Sequence, residues 1–203
     1  MMPLRSWGWR WPPRCWRRCG APNEINHEVR KFEDLLTMRE CARQYNFSAD
    51  TLYSFGFRHV WDATLPIVGF ICHHPGLCVF EHDRELRLCE GYAEAQLCGG
   101  VMVAYLLPKR TLRYQRQDEM GEISSSDLIK SQCGIYDLFD VCSKVIAAWG
   151  SMDAGAPCIA EILRGLKSIG YGNTLYHLGL TKDGEPKSMD RVTPKSKAKR
   201  WAF

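Results

Sequence analysis

No stretch of this chain is apolar for the length that a helix needs to cross a bilayer, about 20 residues. The two nearest approaches are interrupted. Gly91 to Leu107 holds Glu94 and Gln96, and Leu65 to Phe80 holds His73, His74 and two prolines. Both read as buried core, and the sequence predicts no transmembrane segment. A secretory signal is also missing, because Arg and Pro break the apolar residues of the N-terminus every few positions. The ten cysteines in 203 residues are too sparse for a small disulfide scaffold, so they read as reduced, mostly buried thiols. Without a signal, the sequon Asn46-Phe47-Ser48 reads as chance.

The short motifs of catalysis are lacking too. There is no G-x-S-x-G elbow, no H-E-x-x-H and no phosphate loop, and Gly170-Tyr171-Gly172 is too short for a dinucleotide fingerprint. Whether the chain is an enzyme stays open at this level. If it is one, it is of a type without a short motif.

Acid is absent from residues 1–21, which carry Arg5, Arg10, Arg14, Arg17 and Arg18 together with Trp7, Trp9, Trp11 and Trp16. Residues 22–190 hold 17 basic and 23 acidic side chains, a net of −6, and residues 191–203 return to +5 through Arg191, Lys195, Lys197, Lys199 and Arg200. The overall +4 therefore belongs to the ends. A nucleic-acid-binding fold carries its positive charge on its folded face. Here polyanion contact falls to the ends instead.

Three readings stand for the N-terminal segment. As an Arg-rich, acid-free leader it is a mitochondrial transit peptide, though Pro3, Pro12 and Pro13 prevent one continuous helix. Its tryptophans and arginines equally suit an anionic lipid surface, or RNA, through stacking and charge. Cys15 and Cys19, one helical turn apart among arginines, fit a redox reading only if exposed. The C-terminal Lys195 to Arg200 reads as a nuclear localisation patch, so nuclear and cytoplasmic placements remain as alternatives.

With 45% hydrophobic residues, the chain has material for one sizeable core. Ile25, Val29, Phe32 and Leu36 recur at helical spacing, predicting a helix near 24–45, and a shorter one follows from Ser48 with Leu52 and Phe55 inward. Ile67 to Cys72, bounded by Pro66 and Pro75, reads as a buried strand. Cys78 to Phe80 and Leu86 to Leu88 suggest a hairpin around 81–85, and Val101 to Leu107 is a strand or a buried helix. Residues 109–126 read as a loop. Leu128, Ile135, Phe139, Cys142, Ile146 and Trp149 predict one long central helix ended by Gly150. Pro157 opens another. A strand within 174–181 leads to a turn at Lys182-Asp183-Gly184-Glu185. The predicted fold is a single helix-dominated α+β domain over 22–190 with a small sheet, flanked by disordered basic tails at 1–21 and 191–203.

The densest chemistry is Cys72-His73-His74-Pro75-Gly76-Leu77-Cys78-Val79-Phe80-Glu81-His82. Thiolate and imidazole are the ligands zinc prefers, so Cys72, Cys78 and His82 are the candidate metal ligands, with Cys89 or Cys98 as a fourth. The spacing matches the second half of a CCCH-type finger, yet Thr64 and Leu65 stand where that family's first cysteine belongs. Equal spacings of nine between Cys89 and Cys98 and between Cys133 and Cys142 fall one short of the twin helical-hairpin pattern of intermembrane-space proteins, and on a helix put the sulfurs on opposite faces.

The leading functional expectation is a non-catalytic accessory or assembly component of a larger, mitochondrial complex, with other proteins as partners. The alternatives are a zinc-binding protein built on Cys72, Cys78 and His82, or an enzyme without a recognisable motif.

Overall fold

The computed structural model describes residues 43–77, 83–110, 123–151, 157–171 and 174–201. Their framework is a seven-stranded mixed sheet. The strands are β1 (Gln44–Phe47), β2 (Ser54–Val60), β3 (Ile67–Cys72), β4 (Gly100–Tyr105), β5 (Lys144–Ala147), β6 (Leu175–His177) and β7 (Lys199–Arg200). Three α-helices are described with them: α1 (Arg84–Ala95), α2 (Ser125–Val141) and α3 (Pro157–Ser168).

The strands lie in the order β1-β2-β4-β3-β5-β6-β7. The inner four, β4, β3, β5 and β6, are mutually parallel; β2 on one flank and β7 on the other run against them, and β1, antiparallel to β2, runs with them. Helix α1 returns the chain from β3 to β4 over one face. Its Leu86, Cys89, Tyr92 and Ala93 pack on Val68, Phe70, Cys72, Val101 and Val103. Helices α2 and α3 cover the other face, where Ile135, Leu138, Ile162 and Leu166 meet Ile71, Ala104, Val145 and Ala147.

These contacts explain the sequence of β3. Phe70 and Ile71 are both fully buried, one under each helical layer. A strand covered on both faces reads as an unbroken apolar run, and each such side chain contributes roughly 1.5–3 kcal/mol on burial.

The helix-dominated fold predicted above is overturned by this sheet. Residues 44–47, expected at the end of a first helix, form β1, and the segment from Ser48 contains β2 in place of a short helix. The long stripe of 126–149 is divided: α2 stops where the Cys142 N–H bonds Leu138 O, and Lys144 to Ala147 becomes β5 between β3 and β6. Arg84 to Ala95, expected to lead out of a hairpin, is helix α1, started by Asp83 accepting from the N–H groups of Glu85 and Leu86. The C-terminal tail is also corrected. Lys199 and Arg200 pair with β6, the Trp201 N–H donates to Leu175 O, and the Trp201 ring meets Trp149 edge-on at 5.4 Å. Residues 24–42 of the helix predicted near 24–45, and the N-terminal tail, lie outside the described residues.

The winding reverses at β3. Helix α1 carries the chain outward to β4, and α2 carries it back past β3 to β5. In open α/β sheets, such a switch point opens a crevice outside the carboxyl ends of the two strands, here β3 and β5.

Candidate functional site at the carboxyl ends of the parallel strands

Side chains of a strand alternate between faces, so residues two apart in β3, β5 and β6 share one. Val145, Ala147 and Trp149 lie under α2 and α3, as do Ile71 and Leu175. The registers Ile71↔Ala147 and Ala147↔His177 place His177 in the same row. Beyond the strand ends Trp149 continues this row, and the alternation that runs through Ile71 assigns His73 its next position. The carboxyl edge of three neighbouring strands thus gathers two imidazoles and an indole on one side of the sheet.

Each is fixed by its surroundings. Trp149 is almost wholly buried, and its indole N–H donates to Glu185 Oε2 at 3.2 Å. Glu185 itself sits in the hairpin after β6, where its N–H bonds Thr181 Oγ1 and its carbonyl accepts from the Thr181 N–H. Next to Trp149, Gly150 has φ +83° and packs on Ser188, a backbone state that favours glycine.

His177, at 8% exposure, accepts the Gly179 N–H at Nδ1 over 3.1 Å. That acceptance assigns the neutral tautomer, with the proton on Nε2. His73 lies 4.8 Å from His74, ring edge to ring face, and its Nε2 is buried without a hydrogen-bond partner. Burial, with the neighbouring His74 adding to it, pushes the His73 imidazole down to about 4. His73 is therefore neutral at pH 7.

The loop bearing these two histidines is held by Arg110. Its guanidinium donates to Thr51 O at 2.9 Å and to the carbonyls of Gly76 and Leu77. The Leu107 N–H bonds His73 O, extending the β3–β4 ladder. Arg110 thus acts as a clip on the loop.

Of the three candidate metal ligands, Cys72 faces α1 and is fully buried, with its sulfur hydrogen-bonded to Cys89. Cys78 and His82 lie outside the described residues. Among the described residues, no group of three or more His, Cys, Asp or Glu side chains is arranged to hold a metal ion. The bond that Cys72 donates to Cys89, with burial, holds the Cys72 thiol well above its usual range, and burial raises Cys89, Cys98 and Cys142, the last to about 12. These four thiols stay protonated at neutral pH and are poor nucleophiles.

Two openings differ in what they can admit. One, between β1, β2, β4 and α2, has about 30 Å³ and is lined by Asn46, Arg58 and Leu138, room for about a water molecule. The other is a cleft of about 450 Å³ at the carboxyl end of β6, between His177–Leu180 and Ser196, Lys197 and Lys199. That volume falls in the range of small-molecule sites.

Sequence reasoning singled out His73 and His74 only as neighbours of Cys72. It missed Trp149 and His177 as site residues, because the pairing of β3, β5 and β6 that joins them spans about a hundred residues of chain. The signal available was Val145 to Trp149, an unbroken apolar run typical of a central parallel strand.

No described helix is long and apolar enough to cross a membrane. No curated protein matches the chain. Residues 55–187, from β2 through the hairpin that carries Glu185, match a family described as a protein of unknown function, DUF1643, and since the match spans more than half of the sequence, the chain belongs to that family.

Proposed function

We propose that this domain binds a small polar molecule at the carboxyl edge of its parallel strands. The observation that carries the reading is the convergence of His73, Trp149 and His177 on one face beside the switch point. His73 there keeps an unspent ring nitrogen and a cleft of ligand size opens next to His177. The neutral imidazoles supply hydrogen bonds to a ligand, and Trp149 supplies its aromatic edge.

The test is a titration of the full chain with nucleosides, sugar phosphates, amino acids and dicarboxylates, read by tryptophan emission and melting temperature. One class is expected to move both in the wild type, with the emission change lost in Trp149→Phe and the affinity lowered in His177→Gln. If no class moves either readout, the site is not a ligand site.

The assembly-component role is kept as the second proposal, for a different observation. Leu52 and Leu77 are 59% and 48% exposed on two loops that Arg110 ties together, a surface suited to contact with another protein. Purification of the native protein with its partners tests it, and a fusion of residues 1–30 to a fluorescent protein tests the mitochondrial destination. Monodisperse recovery without partners and a diffuse cytosolic signal would count against these two readings respectively.

A further inference from the structure

We propose that the ligand of this cleft is anionic, a molecule bearing a phosphate-type group that the C-terminal segment grips with lysine. The inference rests on the carboxyl-edge site proposed above and names the charge of what enters it.

Three observations carry it. First, β7 brings Lys199 directly opposite His177 across the antiparallel pair, so the ammonium stem rises on the same face as the imidazole. Lys197 lines the same cleft two residues earlier. Lys187 lies beside Gly179, one of the residues that line the cleft. A Cβ on Gly179 would come within 3.2 Å of Lys187 Cδ and 3.8 Å of its Nζ, so the lysine lies flat against the glycine backbone. Gly179 also has φ +145°, and glycine is what permits both that backbone and that approach.

Second, none of Lys187, Lys197 and Lys199 is ion-paired among the described residues. The carboxylate nearest in sequence to Lys187, Glu185, is committed to the Trp149 indole, and Asp190 Oδ1 accepts the Ser188 hydroxyl.

Third, the polar side chains that line the cleft are spent or donate. The Gly179 N–H is used on His177 Nδ1, which leaves His177 Nε2–H as a donor, and Ser196 Oγ already accepts from the Thr193 N–H. A cleft lined by donors and unpaired cations is complementary to a group that only accepts. Lys197 and Lys199 also lie beyond the 55–187 match, in the segment that leads into and forms β7.

The experiment uses the full chain and inorganic pyrophosphate as probe, read by melting temperature and tryptophan emission at fixed ionic strength. Pyrophosphate is expected to bind, more weakly as salt rises. The double variant K197Q/K199Q should bind it at least about tenfold less tightly, since two charge-assisted contacts are lost. The pair R84Q/R164Q, altering two exposed arginines on helices α1 and α3, should leave binding unchanged.

Equal loss in both double variants would mean diffuse charge attraction and would overturn the inference. So would tight binding of a single-stranded oligonucleotide that pyrophosphate fails to displace, which would make the surface a nucleic-acid contact. If pyrophosphate does not bind but a neutral molecule shifts Trp149 emission, the anionic assignment falls while the carboxyl-edge site stands.

Discussion

The indole of Trp149 and the carboxylate of Glu185 join the end of β5 to the hairpin after β6 through one hydrogen bond of 3.2 Å. With Trp149 at 3% exposure, its N–H relies on that partner for its hydrogen bond. The bond therefore does two things. It satisfies a buried donor, and it holds the floor of the proposed site against the segment that forms its wall.

Glu185→Ala should cost about 1–3 kcal/mol of stability, the penalty of an orphaned buried donor. Trp149→Phe alone should cost packing, but in its background the Glu185→Ala change should lose most of its effect. A double-mutant cycle by urea unfolding measures this coupling, expected at about 0.5–3 kcal/mol for groups in contact. Simple additivity of the two changes would mean that the bond contributes nothing.

Asp137 on α2 is a second buried group with a consequence for stability. Its residue is 4% exposed, and Oδ2 has no hydrogen-bond partner. Burial, reinforced by Cys133 and Asp140, pushes the carboxyl up to about 7. The folded state then holds a proton that the unfolded chain has released, across the interval from about 4 to 7. Stability from this group is fully present below pH 4, falls as pH rises through the interval, and stays low above it. Asp137→Asn removes the titration while keeping the shape. The variant should be more stable than wild type at pH 8, by on the order of 1–3 kcal/mol, with the gain vanishing towards pH 4. Denaturant unfolding across pH checks it, and a gain independent of pH would show that Asp137 does not titrate as a buried acid.

What the sequence made legible, and what it hid, follows from the range of the interactions involved. Ile67–Cys72 was readable as a strand because Pro66 and Pro75 bound a short run, a purely local signal. The long helix over 126–149 was misread for a physical reason. In a strand buried on both faces every side chain is apolar, and Val145, Ile146 and Trp149 continue the helical stripe of Ile135 and Leu138 without a polar break. The capture of Ser143, whose N–H and hydroxyl both bond Ile67 O, marks that the helix has ended at its Cys142 cap. The site had the same difficulty in a stronger form. Cys72 and His73 are adjacent in sequence, yet strand alternation sends the thiol under α1 and the imidazole to the side of α2 and α3. Adjacency along the chain therefore does not tell which face of the sheet a group serves. Lys199 was read as part of a tail because two residues of strand leave no periodicity to detect.

His73 provides the counterpart to Asp137. Its imidazole is pushed down to about 4 by burial and by His74, and His74 is itself lowered by burial. A folded state that prefers the neutral ring binds fewer protons than the unfolded chain between about pH 4 and 6.5. Its contribution is therefore complete above pH 6.5 and is lost as pH falls towards 4. In that interval the two groups act in opposite directions: stability from His73 rises with pH while that from Asp137 falls. The wild type should be nearly flat there, and each variant should expose the slope of the other group. His73→Asn should decline in stability between pH 4.5 and 6.5, and Asp137→Asn should climb, each by up to about 1.4 kcal/mol per pH unit. The double variant should return to a shallow profile. Parallel profiles for the two single variants would show that neither buried group governs the pH dependence of this fold.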